Sequence, residues 1–208
     1  FSKVFDIKFL DQDGQLKNVW STSWGVSTRL IGAIIMAHGD DRGLRLPPRI
    51  APIQVVIVPI LGKKDEEEVL NDARKLFSQL KQEFRVELDD RNEYTPGWKF
   101  NEWEMRGVPV RLEIGPKDIQ KQQVVLVRRD TGEKLFVPRV ELYERLKALL
   151  EDIQTNMYKQ AKQFMDSNTR KVDDFEDFKK IIEEKKGFIK AHWCENESCE
   201  KYIKDQTG

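Results

Sequence analysis

The run Ile53-Gln54-Val55-Val56-Ile57-Val58 limits this chain more than any other feature. Five of its six side chains are aliphatic and β-branched, so a strand built from it has no polar face to offer water and is expected to be buried on both sides. Directly after it, apolar residues at 69, 70, 73, 76, 77, 80 and 84 recur at the spacing of one helical face. A doubly buried strand followed by an amphipathic helix is half of a layered α/β unit. The alternation continues with a strand at Phe84–Leu88, a short helix at Pro96–Met105 and a strand at Val108–Ile114. Three strands with helices between them predict a largely parallel sheet. Val124–Val127 and Leu135–Val137, on either side of Asp130-Thr131-Gly132, predict an antiparallel hairpin added to it, so the sheet as a whole is expected to be mixed.

The flanks read differently. Val4 to Phe9 and Val19-Trp20 alternate around the turn signal Asp11-Gln12-Asp13-Gly14, which predicts a hairpin. Leu30 to His38 is an apolar run whose length and small residues fit a buried helix or a central strand alike. Gly43, Pro47, Pro48 and Pro52 predict an extended linker over 46–52, because proline restricts itself and its predecessor. A domain boundary is placed there, giving segments 1–48, 49–150 and 151–208. Apolar positions from 142 to 165 predict a long amphipathic helix. A short helix over 175–184, a strand over 187–193 and a cysteine pair make a small last unit. No internal repeat stands out.

Composition excludes several classes. The 36 basic residues balance 36 acidic ones, so any nucleic acid has to be met by a local basic surface and not by bulk charge. Two cysteines are too few for a disulfide-stapled secreted domain and point to a reducing, cytoplasmic compartment. The longest apolar stretch falls well short of the roughly 20 residues a membrane span needs. The chain starts at Phe1 without methionine or signal sequence, as expected for a piece of something longer.

Three groups of residues can carry chemistry. In Ser23-Trp24-Gly25-Val26-Ser27-Thr28-Arg29 a lone arginine follows a hydroxyl-rich loop, free of acidic sequence neighbours, and suits a phosphate or a plain surface position. Between Leu88 and Asp118 aromatic, basic and acidic residues interleave. Such a mixture stacks on unpaired bases and accepts hydrogen bonds from guanine edges, or else forms the charged strand ends of an α/β core. Cys194 and Cys199, with His192 nearby, offer half of a zinc site or two ordinary free thiols. The acids of Lys63-Lys64-Asp65-Glu66-Glu67-Glu68 suit a helix start.

These residues carry a close resemblance. Ser23 to Arg29, the run to Met36, His38-Gly39-Asp40 and Gly43-Leu44-Arg45-Leu46-Pro47-Pro48-Arg49 resemble motif 3 of prolyl-tRNA synthetases of the archaeal and eukaryotic type. Thr95-Pro96-Gly97-Trp98-Lys99-Phe100 and Gly115-Pro116-Lys117-Asp118 resemble the anticodon-binding domain shared by the prolyl, threonyl, histidyl and glycyl class II enzymes, in its prolyl form. The stretch Phe175–Ile203 resembles the first part of the carboxy-terminal domain of that type.

The resemblance implies an α/β chain in three parts: the end of an antiparallel class II catalytic sheet, a mixed-sheet anticodon-binding domain and a truncated small α+β domain of zinc type. It implies ATP-dependent activation of proline, with magnesium, and transfer to tRNA(Pro) by a homodimer away from membranes. Arg29 is implied as the catalytic, ATP-holding arginine, Ser27 and Thr28 as nucleotide contacts, and Ser23, Trp24 and Gly25 as proline pocket. Asp90, Arg91, Glu93, Lys99, Phe100, Glu104, Arg111, Glu113 and Lys117 are the candidate anticodon readers, with Asp90 and Arg91 open to pairing with each other instead. Cys194 and Cys199 match the first half of a zinc site. With motifs 1 and 2 expected outside it, the chain alone is expected not to activate proline. A non-catalytic RNA-binding module derived from such an enzyme, and a class II synthetase for another amino acid, are the competing readings.

Overall fold

The computed structural model describes residues 1–62 and 65–208. Lys63 and Lys64, at the head of the acidic run, lie outside the described residues. The chain forms two compact units, Phe1–Ile34 and Ile35–Gly208.

In the first unit, β1 (Lys8–Leu10) and β2 (Leu16–Asn18) pair antiparallel with Phe9 opposite Lys17. This is the expected hairpin, shortened to three residues per strand. Gly14, at φ +76°, supplies its left-handed turn position. The apolar run that was open between helix and strand is a helix, α1 (Arg29–His38). Ten residues in succession exceed a typical strand, and the hydroxyl residues ahead of it start the first turn, with Leu30 N–H on the Ser27 carbonyl and Ile31 N–H on that of Thr28. None of its residues is buried.

The second unit is built on a five-stranded sheet. Its strands are β3 (Val55–Pro59), β4 (Val86–Leu88), β5 (Val110–Ile114), β6 (Gln123–Arg128) and β7 (Lys134–Pro138), in the order β4-β3-β5-β6-β7. β4, β3 and β5 run parallel; β5, β6 and β7 alternate. The sheet is mixed because the short connection through residues 115–122 returns the chain between β5 and β6 without a crossover, and the Asp130-Thr131-Gly132 turn does so again between β6 and β7.

β3 is buried throughout, as its composition requires. Val55 and Ile57 face the larger core, packed by α2 (Glu66–Leu80) and α5 (Leu142–Ser167). Val56 and Val58 face a smaller core with Val108 and with Trp103 of α3 (Pro96–Met105). Consecutive residues of a strand point to opposite faces, so only an all-aliphatic run satisfies both cores at once.

Each helix has a local cause. Three glutamates open α2, where they complement the helix dipole. Thr95 caps α3 by accepting from Trp98 N–H, with Pro96 in the first turn. A short helix, α4 (Pro116–Gln120), follows β5, and its Asp118 carboxylate accepts from Gly115 N–H at 3.1 Å. The apolar face of α5 is buried from Leu142 to Met157; Phe164 and Met165, which continue the same spacing, are exposed. Beyond α5, β8 (Thr169–Lys171) pairs parallel with β9 (Phe188–Lys190) around α6 (Phe175–Lys180), and α7 (Glu197–Thr207) follows.

The expected linker is extended only in part: a turn at 48–50, with the Ile50 and Ala51 N–H groups on the Pro47 carbonyl, breaks it, and the segment is firmly attached. Leu44 N–H bonds the Met105 carbonyl at 2.9 Å and Leu46 N–H that of Gly107 at 3.2 Å. The Arg85 guanidinium donates to the Ala51 and Pro48 carbonyls, each at 2.8 Å. The turn leaves the Pro48 and Ala51 carbonyls for the Arg85 cation to collect. The approach is close enough to require glycine at 107, where φ is +75° and an added Cβ would lie 2.6 Å from Leu44 Cβ. Gly107→Ala is therefore expected to cost about 1–3 kcal/mol of stability, read as a lowered urea midpoint at unchanged slope.

Candidate nucleic-acid interface

The sheet's two faces are covered unequally. α2 and α5 cover one, whereas α3 shields only the β3 side of the other. Over β5, β6 and β7 the second face carries two cross-strand rows. Arg111, Val127 and Lys134 form the first; Glu113, Val125 and Phe136 form the second. Phe136 is 67% exposed. Glu113, Val125 and Val127 are buried, so the exposed part of these rows is Phe136, Lys134 and a fraction of Arg111.

The charged groups on this face are ordered by one another. Arg111 donates through Nε and Nη2 to Glu113 Oε1, at 3.0 and 2.8 Å. Lys134 Nζ lies 3.7 Å from the other Glu113 oxygen. Phe100, reaching over from α3, sets its ring centroid 4.1 Å from the Arg111 guanidinium carbon. Glu104, one turn further along α3, accepts from Arg42 Nη1 at 2.7 Å. Its backbone carbonyl takes Arg129 Nε at 2.9 Å, and Arg129 closes a bidentate pair on Asp40 at 2.8 and 2.6 Å. The Arg129 guanidinium holds the Asp40 carboxyl at a pKa of about 2. Arg42, Glu104, Arg111, Arg129 and Lys134 line one shallow pocket. Carboxylate acceptors between cations, beside an aromatic ring and a free sheet face, can take a splayed base by its edge and its neighbouring phosphates by charge.

A second cluster sits at the start of α3. Asp89, at the end of β4, is buried, and both its oxygens are used. Oδ1 accepts from Arg91 Nε and Oδ2 from Arg91 Nη2, each at 2.8 Å, while Trp103 Nε1 donates to Oδ2 at 2.7 Å. Burial works against the charge, but the Arg91 and Trp103 hydrogen bonds and the Lys99 and Arg91 charges outweigh it, and the carboxyl is held at about 2. Arg91 also donates to Glu102 at 2.5 Å.

The candidate readers thus separate into groups. Phe100, Glu104, Arg111 and Glu113 come together on the open face. Arg91 pairs with Asp89 and Glu102, and Asp90 with Arg74 at 3.3 Å, so the Asp90–Arg91 pairing left open from sequence does not form. Lys99 is turned inward, 2% exposed, with Nζ on the Asp89 carbonyl at 3.0 Å. Glu93 is exposed beside a crevice at the ends of β3 and β4, and Lys117 is exposed on α4. Sequence reasoning passed over Asp89, Tyr94, Trp98, Arg129 and Lys134 as site residues. For Trp98 a signal existed, since Tyr94, Trp98 and Glu102 are spaced by four and share a helical flank.

In the first unit, Ser23, Trp24 and Gly25 lie in irregular backbone, Trp24 being 93% exposed. Ser27 and Thr28 precede α1, and Arg29 is its first residue. Among the described residues Arg29 has no ion-pair partner. Two hydroxyls and a free guanidinium are donors suited to phosphate, while the first N–H groups of α1 are taken up by Ser27 and Thr28.

Cys194 and Cys199 are both exposed. A hydrogen bond from Cys199 lowers the Cys194 thiol pKa and raises that of Cys199. Among the described residues no three His, Cys, Asp or Glu side chains are grouped to hold a metal, and His192 lies 3.2 Å from Asp173 instead. Two thiols alone do not fit a structural zinc. No described helix is long and apolar enough to cross a membrane.

This fold and face place the chain in a known class: residues 54–149 match the family described as "Anticodon binding domain". Residues 175–208 match "Prolyl-tRNA synthetase, C-terminal". Over its whole length the chain is 61% identical to the proline–tRNA ligase of Natranaerobius thermophilus, 56% to proline–tRNA ligase 2 of Bacillus cereus and 54% to the proline–tRNA ligase of Alkaliphilus oremlandii. The chain belongs to the prolyl-tRNA synthetase family, as a carboxy-terminal portion of its members. It spans 43% of the length of each of these relatives.

The depressed Asp40 and Asp89 carboxyls make stability acid-sensitive. Each has a folded pKa of about 2 against an ordinary 3.8. Their contribution is complete above about pH 4 and is lost as pH falls through about 2. The urea midpoint is expected to fall over this window. Asp40→Asn, weaker at neutral pH, should lose less of its midpoint across the same interval.

Proposed function

We propose that this chain is the tRNA-recognising part of an enzyme that activates proline with ATP and magnesium and transfers it to tRNA(Pro). The observation that carries the reading is the rim of the β5–β7 face, where Arg111, Glu113, Glu104 and Phe100 converge beside exposed Lys134 and Phe136, inside the region matched by the anticodon-binding family. Proline anticodons share two guanines, whose N–H donors need acceptors. Glu104 and Glu113 are the carboxylates present, and Arg111, Arg42 and Lys134 offset the phosphates. Lys99 and Arg91 act from behind by fixing α3 and the loop before it.

The functional division follows the segments: 1–48 supplies motif 3, 49–150 the anticodon contact and 151–208 the connecting helix and part of a last domain. Arg29 binds the ATP phosphates with Ser27 and Thr28, and Ser23, Trp24 and Gly25 line the proline pocket. The proline carboxylate attacks the α-phosphorus of ATP, the α–β phosphoanhydride bond breaks, and pyrophosphate leaves with prolyl-adenylate formed. Arg29 bears the growing negative charge, and positioning does the remainder, so no nucleophilic side chain is required. The working enzyme is a cytoplasmic homodimer.

Two measurements test this. With the chain itself, Arg111→Ala is expected to weaken binding of a hairpin RNA carrying the proline anticodon roughly tenfold or more, measured well below its urea midpoint, which falls because the buried Glu113 loses its closest partner. Equal affinity would remove the open face from the site. In a polypeptide of the relatives' full length, Arg29→Ala should lower proline-dependent exchange of pyrophosphate into ATP by about a hundredfold.

A further inference from the structure

We propose that Tyr94 and Trp98, braced by Arg91, form a stacking site for an unpaired nucleobase of the bound RNA loop, separate from the patch on the open sheet face. This rests on the tRNA-binding reading and adds a subsite to it.

Helix geometry separates the two places. Residues two apart on a helix point about 200° from one another. Trp98 and Phe100 therefore leave α3 on opposite flanks, Phe100 toward Arg111 and Trp98 toward Tyr94. The Tyr94 and Trp98 rings are parallel within 12°, with centroids 3.9 Å apart, and they remain 38% and 43% exposed. Trp103 on the same helix shows what a core tryptophan looks like here: it is 6% exposed and its indole N–H is satisfied by Asp89. Among the described residues neither the Trp98 indole N–H nor the Tyr94 hydroxyl has such a partner.

The pair is also held rigid. The Arg91 guanidinium carbon lies 5.0 Å from the Tyr94 centroid and 5.4 Å from that of Trp98. Arg91 cannot turn away, because Asp89 takes two of its N–H groups and Glu102 another. Ordering costs are thus met before any ligand arrives, which favours affinity. Flat aromatic faces beside a guanidinium plane are what unpaired bases stack upon, and they tolerate any base. Next to Tyr94 a crevice of about 250 Å³ opens between Pro59 and Leu61, after β3, and the loop after β4. Asn92 and Glu93 in its wall offer an amide and a carboxylate to the edge of a stacked base. An apolar peptide would leave those groups unpaired, so a nucleobase is the better occupant.

The test uses the whole chain and a fluorescent hairpin RNA with the proline anticodon loop, plus a series with one abasic nucleotide at each loop position. Trp98→Ala is expected to weaken binding of the intact hairpin by roughly fivefold to a hundredfold, and Trp98→Phe by much less. At one abasic position the Trp98→Ala loss should vanish, which identifies the stacked nucleotide. Trp98→Ala binding the intact hairpin like the wild type, or losing equally on every abasic hairpin, overturns the proposal. If Arg111→Ala still weakens binding in that case, the anticodon reading stands and only the stacking site falls. Failure of the wild type to prefer the proline hairpin over one of unrelated loop sequence overturns the parent reading and this site together. An unchanged far-ultraviolet circular dichroism spectrum and a cooperative urea transition confirm that each variant is folded.

Discussion

The buried carboxylate of Asp89 is the joint on which the recognition surfaces turn. It sits at the end of a parallel strand, out of water, and three different parts of the next segment close on it: Arg91 from the loop, Lys99 from the first turn of α3 and Trp103 from its last turn. A charge in that position is tolerable only with such complete pairing. The pairing in turn dictates how α3 lies against the sheet. One flank then brings Phe100 and Glu104 to the open face, and the other brings Trp98 against Tyr94. The loop before α3 stays rigid for the same reason, since Arg91 is spent on carboxylates on both sides.

A second ionic joint serves the other end of the face. Arg129, at the close of β6, binds the Asp40 carboxylate and the Glu104 carbonyl together, and Arg42 reaches the Glu104 side chain from the same turn as Asp40. Residues from three remote stretches of chain meet there, at sequence separations of 89 and 25 positions. The turn at 40–43 thus helps build the surface, although it precedes the sheet by more than a strand's length. A neutral chain can in this way hold a locally cationic pocket: the acids are consumed in orienting the arginines, and some guanidinium surface remains for a ligand.

Much of this was legible in the residues. The aliphatic run at 53–58 required a strand with a core on each side, and α2, α3 and the start of α5 follow from spacing and caps. Phe100, Glu104, Arg111 and Glu113 were among the residues picked out by mixing aromatic, basic and acidic character. The apolar run after Arg29 was not decidable, because eight or nine small and aliphatic residues suit either period. Lys99 was among the candidate anticodon readers and is buried, because its partner is a backbone carbonyl ten residues earlier, a contact that carries no sequence signature. Phe164 and Met165 continue the helical stripe of α5, yet the sheet they would cover ends before they reach it.

By itself the sequence determined which segments must be buried, where helices start, and which family the chain resembles, since these depend on side-chain chemistry at short range and on the wording of motifs. Tertiary structure alone decided which charges are spent and which remain available. Arg91, Arg111, Arg128 and Arg129 look alike in one dimension, yet Arg91 and Arg111 meet carboxylates two positions away on their own segments, whereas Arg128 and Arg129 also meet Asp152 and Asp40, 24 and 89 positions away. The remote pairings are set by distances of a few ångströms between residues far apart in the chain, and no local pattern encodes them.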